Sequence, residues 1–269
     1  MAKLAGHKSL IKCSGTAVAF VGEAVTTSDN QKYQITDSAK RVLGNTSTIS
    51  VHKRSSTGET AEAGTTTTNI KITGHGLVTG DLIVNTTRSN AKRIITRVDD
   101  DNFTVASVSS QTTGDSIDLY PTEDASGYTL NRLSGYAEYD SATSRTILIS
   151  GEYLPLTTIG EAYEFSLSLS ANNEDVSVFS NTYVEREQTL KDVTLSISDW
   201  YVDYTYQDKL TDGSPLVIEL FVDSSGSFEC KLWCLLSSDE VSSSVDGIVE
   251  ESLELEGTLD ADSRAITFD

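Results

Sequence analysis

The sequence predicts a mainly β protein: an antiparallel β-sandwich with one or two short helices and a small all-β domain inserted in one of its loops. Three observations predict this. Apolar and polar residues alternate with period two in segment after segment, giving strands with one dry and one wet face. Helical periodicity is scarce. Between Ser55 and Ser126 the texture changes to short strand candidates at close spacing, as in a small barrel or sandwich of its own.

The framework begins at Ser14 (SGTAVAFVGEAVTT) and breaks off after TISVHK at Lys53. Between them, TDSAKRVL carries a helical start signal, with Thr36 or Asp37 as N-cap and one or two turns before Gly44. SSTGETAEAGTTTT, from Ser55 to Thr68, has no side chains to build a core and reads as a linker or flexible loop. NIKIT, DLIVNTT, AKRIITRV, NFTVASV and SIDLY follow as strands, separated by turn-forming stretches. The framework resumes at Tyr128 with YTLNRLSGYAEYD. RTILIS and PLVIELFVD are dense apolar runs of strand length, which predicts cover on both faces.

In EAYEFSLSLS, Tyr163, Phe165, Leu167 and Leu169 alternate with Glu164, Ser166 and Ser168; in DVTLSIS, Val193, Leu195 and Ile197 alternate with Thr194, Ser196 and Ser198. The best helical signal is YVDYTYQDKLTDG, with Tyr201, Tyr204 and Leu210 on one face and Gly213 as the C′ residue. Pro121, Pro155 and Pro215, the chain's three prolines, fall at segment edges, where a missing amide donor is tolerable. The domain boundaries that follow are 1–54 with 127–269 for a discontinuous sandwich, and 55–126 for the insert with its flexible entry linker.

The 269 residues carry a formal net charge of −20 and a pI near 4.4, against general nucleic-acid binding, which needs clustered Lys and Arg. Lys3, Lys8 and Lys12 are the basic cluster near a terminus, either a solvated arm or one that docks on an acidic neighbour. Cys13, Cys230 and Cys234 are too few for a disulfide framework and read as core residues made in a reducing compartment. No apolar run reaches the ~18 residues of a membrane span, and MAKLAGHKSLIKC lacks a signal-peptide core, so a soluble protein outside the Sec route is expected.

Catalytic constellations are not evident. His7, His52 and His75 lie outside any HExxH, CxxC or G-x-S-x-G context. In GHGLVTGD the spacing of Gly74, Gly76 and Gly80 fits neither a dinucleotide turn nor a P-loop; a tight turn is expected, with His75 exposed or capping it. The Asp99–Asp101 run reads as a solvated hairpin turn before a calcium site. No catalytic residue, cofactor or metal is expected, and the chain is read as a non-enzyme.

The ordered series resembles the major tail tube protein of long-tailed, non-contractile (siphovirus-type) bacteriophages. The likeness is carried by SGTAVAFVGEAVTT with YQITDSAKRVLG and TISVHK, by YTLNRLSGYAEYD with TILISGEYLPL, by EAYEFSLSLS through DVTLSISDWYVD, and by the closing stretch from KLTDGSPLVIELFVD through VDGIVEESLELEG. It spans about 14–53 and 128–259; the insert departs from the family's pattern. The resemblance implies a β-sandwich virion protein made in the host cytoplasm, whose hexameric rings stack into a tube that conducts DNA without binding it. Expected partners are further copies, initiator or tip, terminator and tape measure proteins; membrane insertion is not expected, and the insert is expected to point outward.

On this reading an acidic row, Glu250, Glu254 and Glu256 with Ser252, is a candidate for the channel wall, with Glu164, Ser166 and Ser168 as the rival row and a solvated outer face as the plain alternative. Two other classes fit the acidic, Ser/Thr-rich composition. A bacterial surface or adhesion module would carry a secretion signal, and a carbohydrate-active β-sandwich would set paired carboxylates in a cleft beside exposed aromatics.

Overall fold

The structure is a computed structural model that describes residues 10–45, 47–106, 111–159, 164–176, 186–200, 205–221, 229–243 and 249–268. It is mainly β, and the strand pairings among the described residues are antiparallel. In chain order the strands are β1 (Leu10–Ser14), β2 (Val18–Thr26), β3 (Lys32–Ile35), β4 (Ser50–Lys53), β5 (Ser56–Thr60), β6 (Asn69–Lys71), β7 (Leu82–Asn85), β8 (Ala91–Arg97), β9 (Asn102–Val105) and β10 (Ser116–Tyr120). They continue as β11 (Thr129–Asn131), β12 (Tyr136–Glu138), β13 (Ile147–Tyr153), β14 (Leu156–Thr158), β15 (Glu164–Asp175), β16 (Arg186–Trp200), β17 (Leu216–Phe221), β18 (Glu229–Ser243), β19 (Val249–Gly257) and β20 (Ile266–Phe268). The α-helix, α1 (Thr205–Asp212), precedes β17.

The chain forms two compact units, Thr16–Pro155 and Met1–Gly15 with Leu156–Asp269. Thr16–Pro155 holds two six-stranded sheets. One, in the order β11-β12-β3-β2-β13-β4, buries Tyr33, Ile35, Leu43, Val51 and Ile149. The other, β5-β10-β7-β8-β9-β6, surrounds Ile70, Ile83, Ile95, Phe103 and Ile117, and its ends meet where the Glu62 N–H donates to the Lys71 carbonyl at 2.8 Å. Leu82, Val84 and Tyr120, from the outer side of this second sheet, pack on Leu148 of β13. The dense run at 147–150 is thereby covered on both faces, as its composition predicts.

Met1–Gly15 with Leu156–Asp269 is built on one eight-stranded curled sheet, ordered β14-β1-β17-β18-β19-β16-β15, with β20 also paired to β18. Its dry face is continuous across strands: Leu195, Ile197, Leu216, Leu232 and Leu253 are fully buried there. Tyr206 of α1 packs on the same core, and Gly213, at φ +60°, ends the helix by donating its N–H to the Lys209 carbonyl. Cys13, Cys230 and Cys234 are buried, unbridged thiols of this core; burial pushes Cys13 and Cys230 up to about 11 and Cys234 well above its usual value.

On the opposite face, at the β1–β17–β18 end, Glu219 is 4% exposed and pairs with Lys12 at 2.6 Å and Lys231 at 3.3 Å. Glu219→Ala removes the carboxylate that Lys12 and the buried Lys231 share and is expected to be destabilising, read as a lowered urea midpoint.

Several expectations are corrected. Ser56–Thr60, read as linker, is strand β5, held by main-chain pairing to β10 and so independent of its small side chains. TDSAKRVL forms only a short 3-10 turn at Ser38–Lys40, with the Asp37 side chain accepting from the Ala39 N–H. His75 is buried, not exposed: its Nδ1 accepts the Leu77 N–H and its ring meets Phe103 edge-on, so it caps the turn from within. Lys3, Lys8, His7, Tyr163, Tyr201 and Tyr204 lie outside the described residues.

Candidate functional site: the acidic face of the curled sheet

β19 shows the predicted alternation residue by residue. Glu251, Leu253 and Leu255 are buried, while Glu250, Ser252, Glu254 and Glu256 are exposed on the other face. Period-two geometry forces this once Leu253 and Leu255 enter the core. On β15, Glu164, Ser166 and Ser168 are likewise exposed, and Phe165 and Leu167 are half-buried against the core.

Register joins the two rows. Residues directly opposite in an antiparallel pair share a face. Glu164 lies opposite Ser198, which lies opposite Ser252, which lies opposite Glu240. The next rank is Ser166, Ser196, Glu254 and Ser238; the one after is Ser168, Thr194, Glu256 and Leu235. Glu250 extends the face, opposite Ser242. The rival candidates are thus parts of one surface spread over β15, β16, β19 and β18. Glu240, which nothing in the sequence marks out, belongs to it, as do Ser196 and Ser198, read from the sequence only as the wet side of their own strand.

The chemistry of this surface is uniform. In the three four-strand ranks every position is Ser, Thr, Glu or Leu, and none is Lys or Arg; beyond them Trp200 of β16 lies opposite Glu250. Successive same-face residues on a strand stand about 6.6–6.8 Å apart and neighbouring strands about 4.8 Å apart, so Glu254 and Glu256 form a dense negative strip without an internal cation. The Ser196 hydroxyl donates to Glu254 Oε2 at 2.9 Å, fixing that carboxylate on the sheet. A hydroxyl and carboxylate surface of this kind repels phosphate.

The sheet ends beside this face on an open strand. Among the described residues β15 pairs with β16 alone, and β14, three residues long, ends the other side. The apolar stripe on β15 runs outward from Phe165 and Leu167 to Leu169, which is 53% exposed. Among the described residues an unpaired strand edge and the exposed end of an apolar stripe, Leu169, therefore coincide, the combination that strand addition satisfies.

Within the described residues no group of three or more His, Cys, Asp or Glu side chains is arranged to hold a metal, and no helix is long and apolar enough to cross a membrane. In the Asp99–Asp101 turn, the Asp99 carboxylate accepts from the Asp101 N–H and from Asn102, which holds its carboxyl below the ordinary range.

No family model matches the chain, and no curated protein sequence matches it. Among solved structures, a chain from the tail of an empty gene transfer agent particle, computed with C6 symmetry, is similar at 15% identity and a TM-score of 0.36, covering 43% of this chain and 87% of that one. A chain from the virion of a native gene transfer agent particle is similar at 15% identity and a TM-score of 0.35, covering 42% and 88%. At these TM-scores the likeness carries no argument about this chain.

Proposed function

We propose that this chain is a structural virion protein, the repeating subunit of the hollow tail tube of a long-tailed, non-contractile phage, and that it catalyses nothing. The observation that carries the reading is the curled sheet, dry on one face, acidic on the other over β15, β16, β19 and the later part of β18, and ending at β15. Pairing that edge with the next copy around a ring removes the unpaired amides and carbonyls of both copies, and closure of the ring fixes the number of subunits. Six copies are the number that the sequence resemblance implies.

In such a ring the ranks led by Glu164, Ser166 and Ser168 continue from copy to copy, and the acidic face becomes the wall of the channel. Duplex DNA passing through meets like charge, so no phosphate contact retards it. Rings stack into the tube, with initiator or tip, tape measure and terminator proteins as the partners that start, measure and end it. The subunit is made in the host cytoplasm and resides in the virion.

Negative-stain electron microscopy of the purified chain over a concentration series tests this. Six-fold rings or hollow tubes are expected. Irregular particles that bind or hydrolyse glycans would overturn the reading in favour of a carbohydrate-active or adhesive β-protein.

A further inference from the structure

The strand that leads into the insert and the strand that returns from it cross at one buried histidine. His52 of β4 is fully buried and forms an isolated bridge with Thr122, just after β10. Around it the Lys53 N–H donates to the Pro121 carbonyl at 3.0 Å and the Glu123 N–H to the Val51 carbonyl at 2.8 Å. These contacts close the root of the insert.

Both ring nitrogens of His52 face hydroxyls, Nε2 the Ser150 Oγ at 3.0 Å and Nδ1 the Thr122 Oγ1 at 3.1 Å. The neighbours decide which nitrogen carries the proton. Ser150 Oγ already accepts the Gly22 N–H at 2.9 Å and has its own hydrogen to give to Nε2. Thr122 Oγ1 points at the Gly80 carbonyl at 3.4 Å, to which it donates, and so accepts from Nδ1–H. A one-way chain of donors results, from Gly22 N–H through Ser150, His52 and Thr122 to Gly80, and it ties β2, β13 and β4 to the insert.

We propose that this crossing is an acid-sensitive latch: protonating His52 at Nε2 breaks the one-way chain and loosens the root of the insert. With a proton on Nε2, the Gly22 N–H and the imidazolium both point donors at Ser150 Oγ, and the serine hydrogen loses its acceptor. A positive charge is also placed at a fully buried position. The charged groups nearby are already engaged. Asp81, 2% exposed, accepts the Thr122 N–H at 2.8 Å and the Val78 N–H at 2.7 Å; Lys53 pairs with Glu123 at 3.1 Å and Arg54 with Asp118 at 3.6 Å; Lys92 donates to the Gly22 carbonyl. Asp81 is the group whose field favours the proton, and desolvation outweighs it, lowering His52 from the usual 6.5 to about 4.

The sign follows from linkage. A histidine whose closed-state value lies below its open-state value favours the closed latch fully above about pH 6.5, and that preference is lost as pH falls from 6.5 to about 4. The ratio of open to closed root is expected to rise roughly 30-fold between pH 7.5 and pH 5.

Hydrogen exchange on the full chain, corrected for intrinsic rates, tests this at the Lys53, Thr122 and Glu123 amides. Their protection is expected to fall by that factor at pH 5, while the Val217 amide, bonded to Ser14 Oγ in the other unit, keeps its protection. In His52→Gln, which has no proton to gain, the three amides are expected to respond equally at both pH values. If that variant does not fold, NMR titration of the His52 ring in the unaltered chain replaces it, with ring protonation and loss of protection expected to coincide. Unchanged protection at pH 5, an equal loss at Val217, an equal loss in His52→Gln, or a ring that titrates apart from the opening would each overturn the latch.

Discussion

Tubes assembled from the triple variant Glu250→Lys, Glu254→Lys and Glu256→Lys are expected to retain duplex DNA that tubes of the unaltered chain let go. The three positions are exposed and lie on one face of β19, so the substitutions should leave the fold within about 0.5 kcal/mol per site. Their effect is on the wall. Each lysine that meets a phosphate releases a condensed counterion, and log affinity should then fall with log salt at a slope of about −0.9 per contact made. Filter retention of a linear duplex across a salt series reads this directly. The uncharged triple variant with glutamine at the same positions should retain nothing, which separates attraction by lysine from loss of repulsion. Equal retention by all three proteins would place these residues away from the channel.

Gly135→Ala is expected to destabilise the unit Thr16–Pro155 severely. Gly135 sits at φ +63°, and an added Cβ would lie 2.6 Å from Arg41 Cα and closer still to the Arg41 carbonyl oxygen. These are backbone atoms of the segment that Gly135 itself helps to hold, since Ile35 N–H donates to the Gly135 carbonyl at 2.9 Å and Gly135 N–H to the Asn131 carbonyl at 2.8 Å. The left-handed conformation alone costs about 1–2 kcal/mol for a residue with a Cβ, and the clash adds a displacement of two packed segments, for a total above about 3 kcal/mol. Gly213→Ala provides the contrast: its φ is +60°, but among the described residues no atom beyond its chain neighbours lies within 4 Å of the added carbon, so only the conformational cost of about 1 kcal/mol applies. Urea unfolding of the two variants should separate them widely; similar midpoints would refute the steric account.

The features legible in the sequence were the local ones. The alternation in VEESLELEG gives the exposed carboxylates and buried leucines of β19 because side-chain direction in a strand depends on the neighbours in sequence. The covered runs at 147–150 and 216–220 and the Gly213 stop were readable for the same reason. Register was not, because it depends on strands far apart in the chain. Glu164 and Glu254 look like rivals until β16 is placed between β15 and β19. The irregularity between Leu236 and Ser238 also reverses the parity of β18, so Leu235 and Glu240 share a face despite their odd separation.

Burial of polar groups was equally hidden. Nothing in TISVHK or HGLVTGD distinguishes a buried histidine from a solvated one, since the hydroxyls that face His52 and the Asp99 carbonyl and Phe103 ring that enclose His75 come from other strands and turns. Ser56–Thr60 was missed because a strand held by its backbone leaves no apolar pattern. In α1 the chain enters the helix at Thr205, and Tyr206 reaches the core while Leu210 stays 38% exposed.

The central claim is that the acidic face of the curled sheet lines a channel closed by edge-to-edge pairing of identical chains. A cryo-electron microscopy reconstruction of assembled tubes tests it most directly. The account predicts β15 paired to the neighbouring subunit, with Glu164, Glu250, Glu254 and Glu256 facing the tube axis. A tube whose inner wall is formed by other residues, with these four carboxylates on its outer surface, would contradict it.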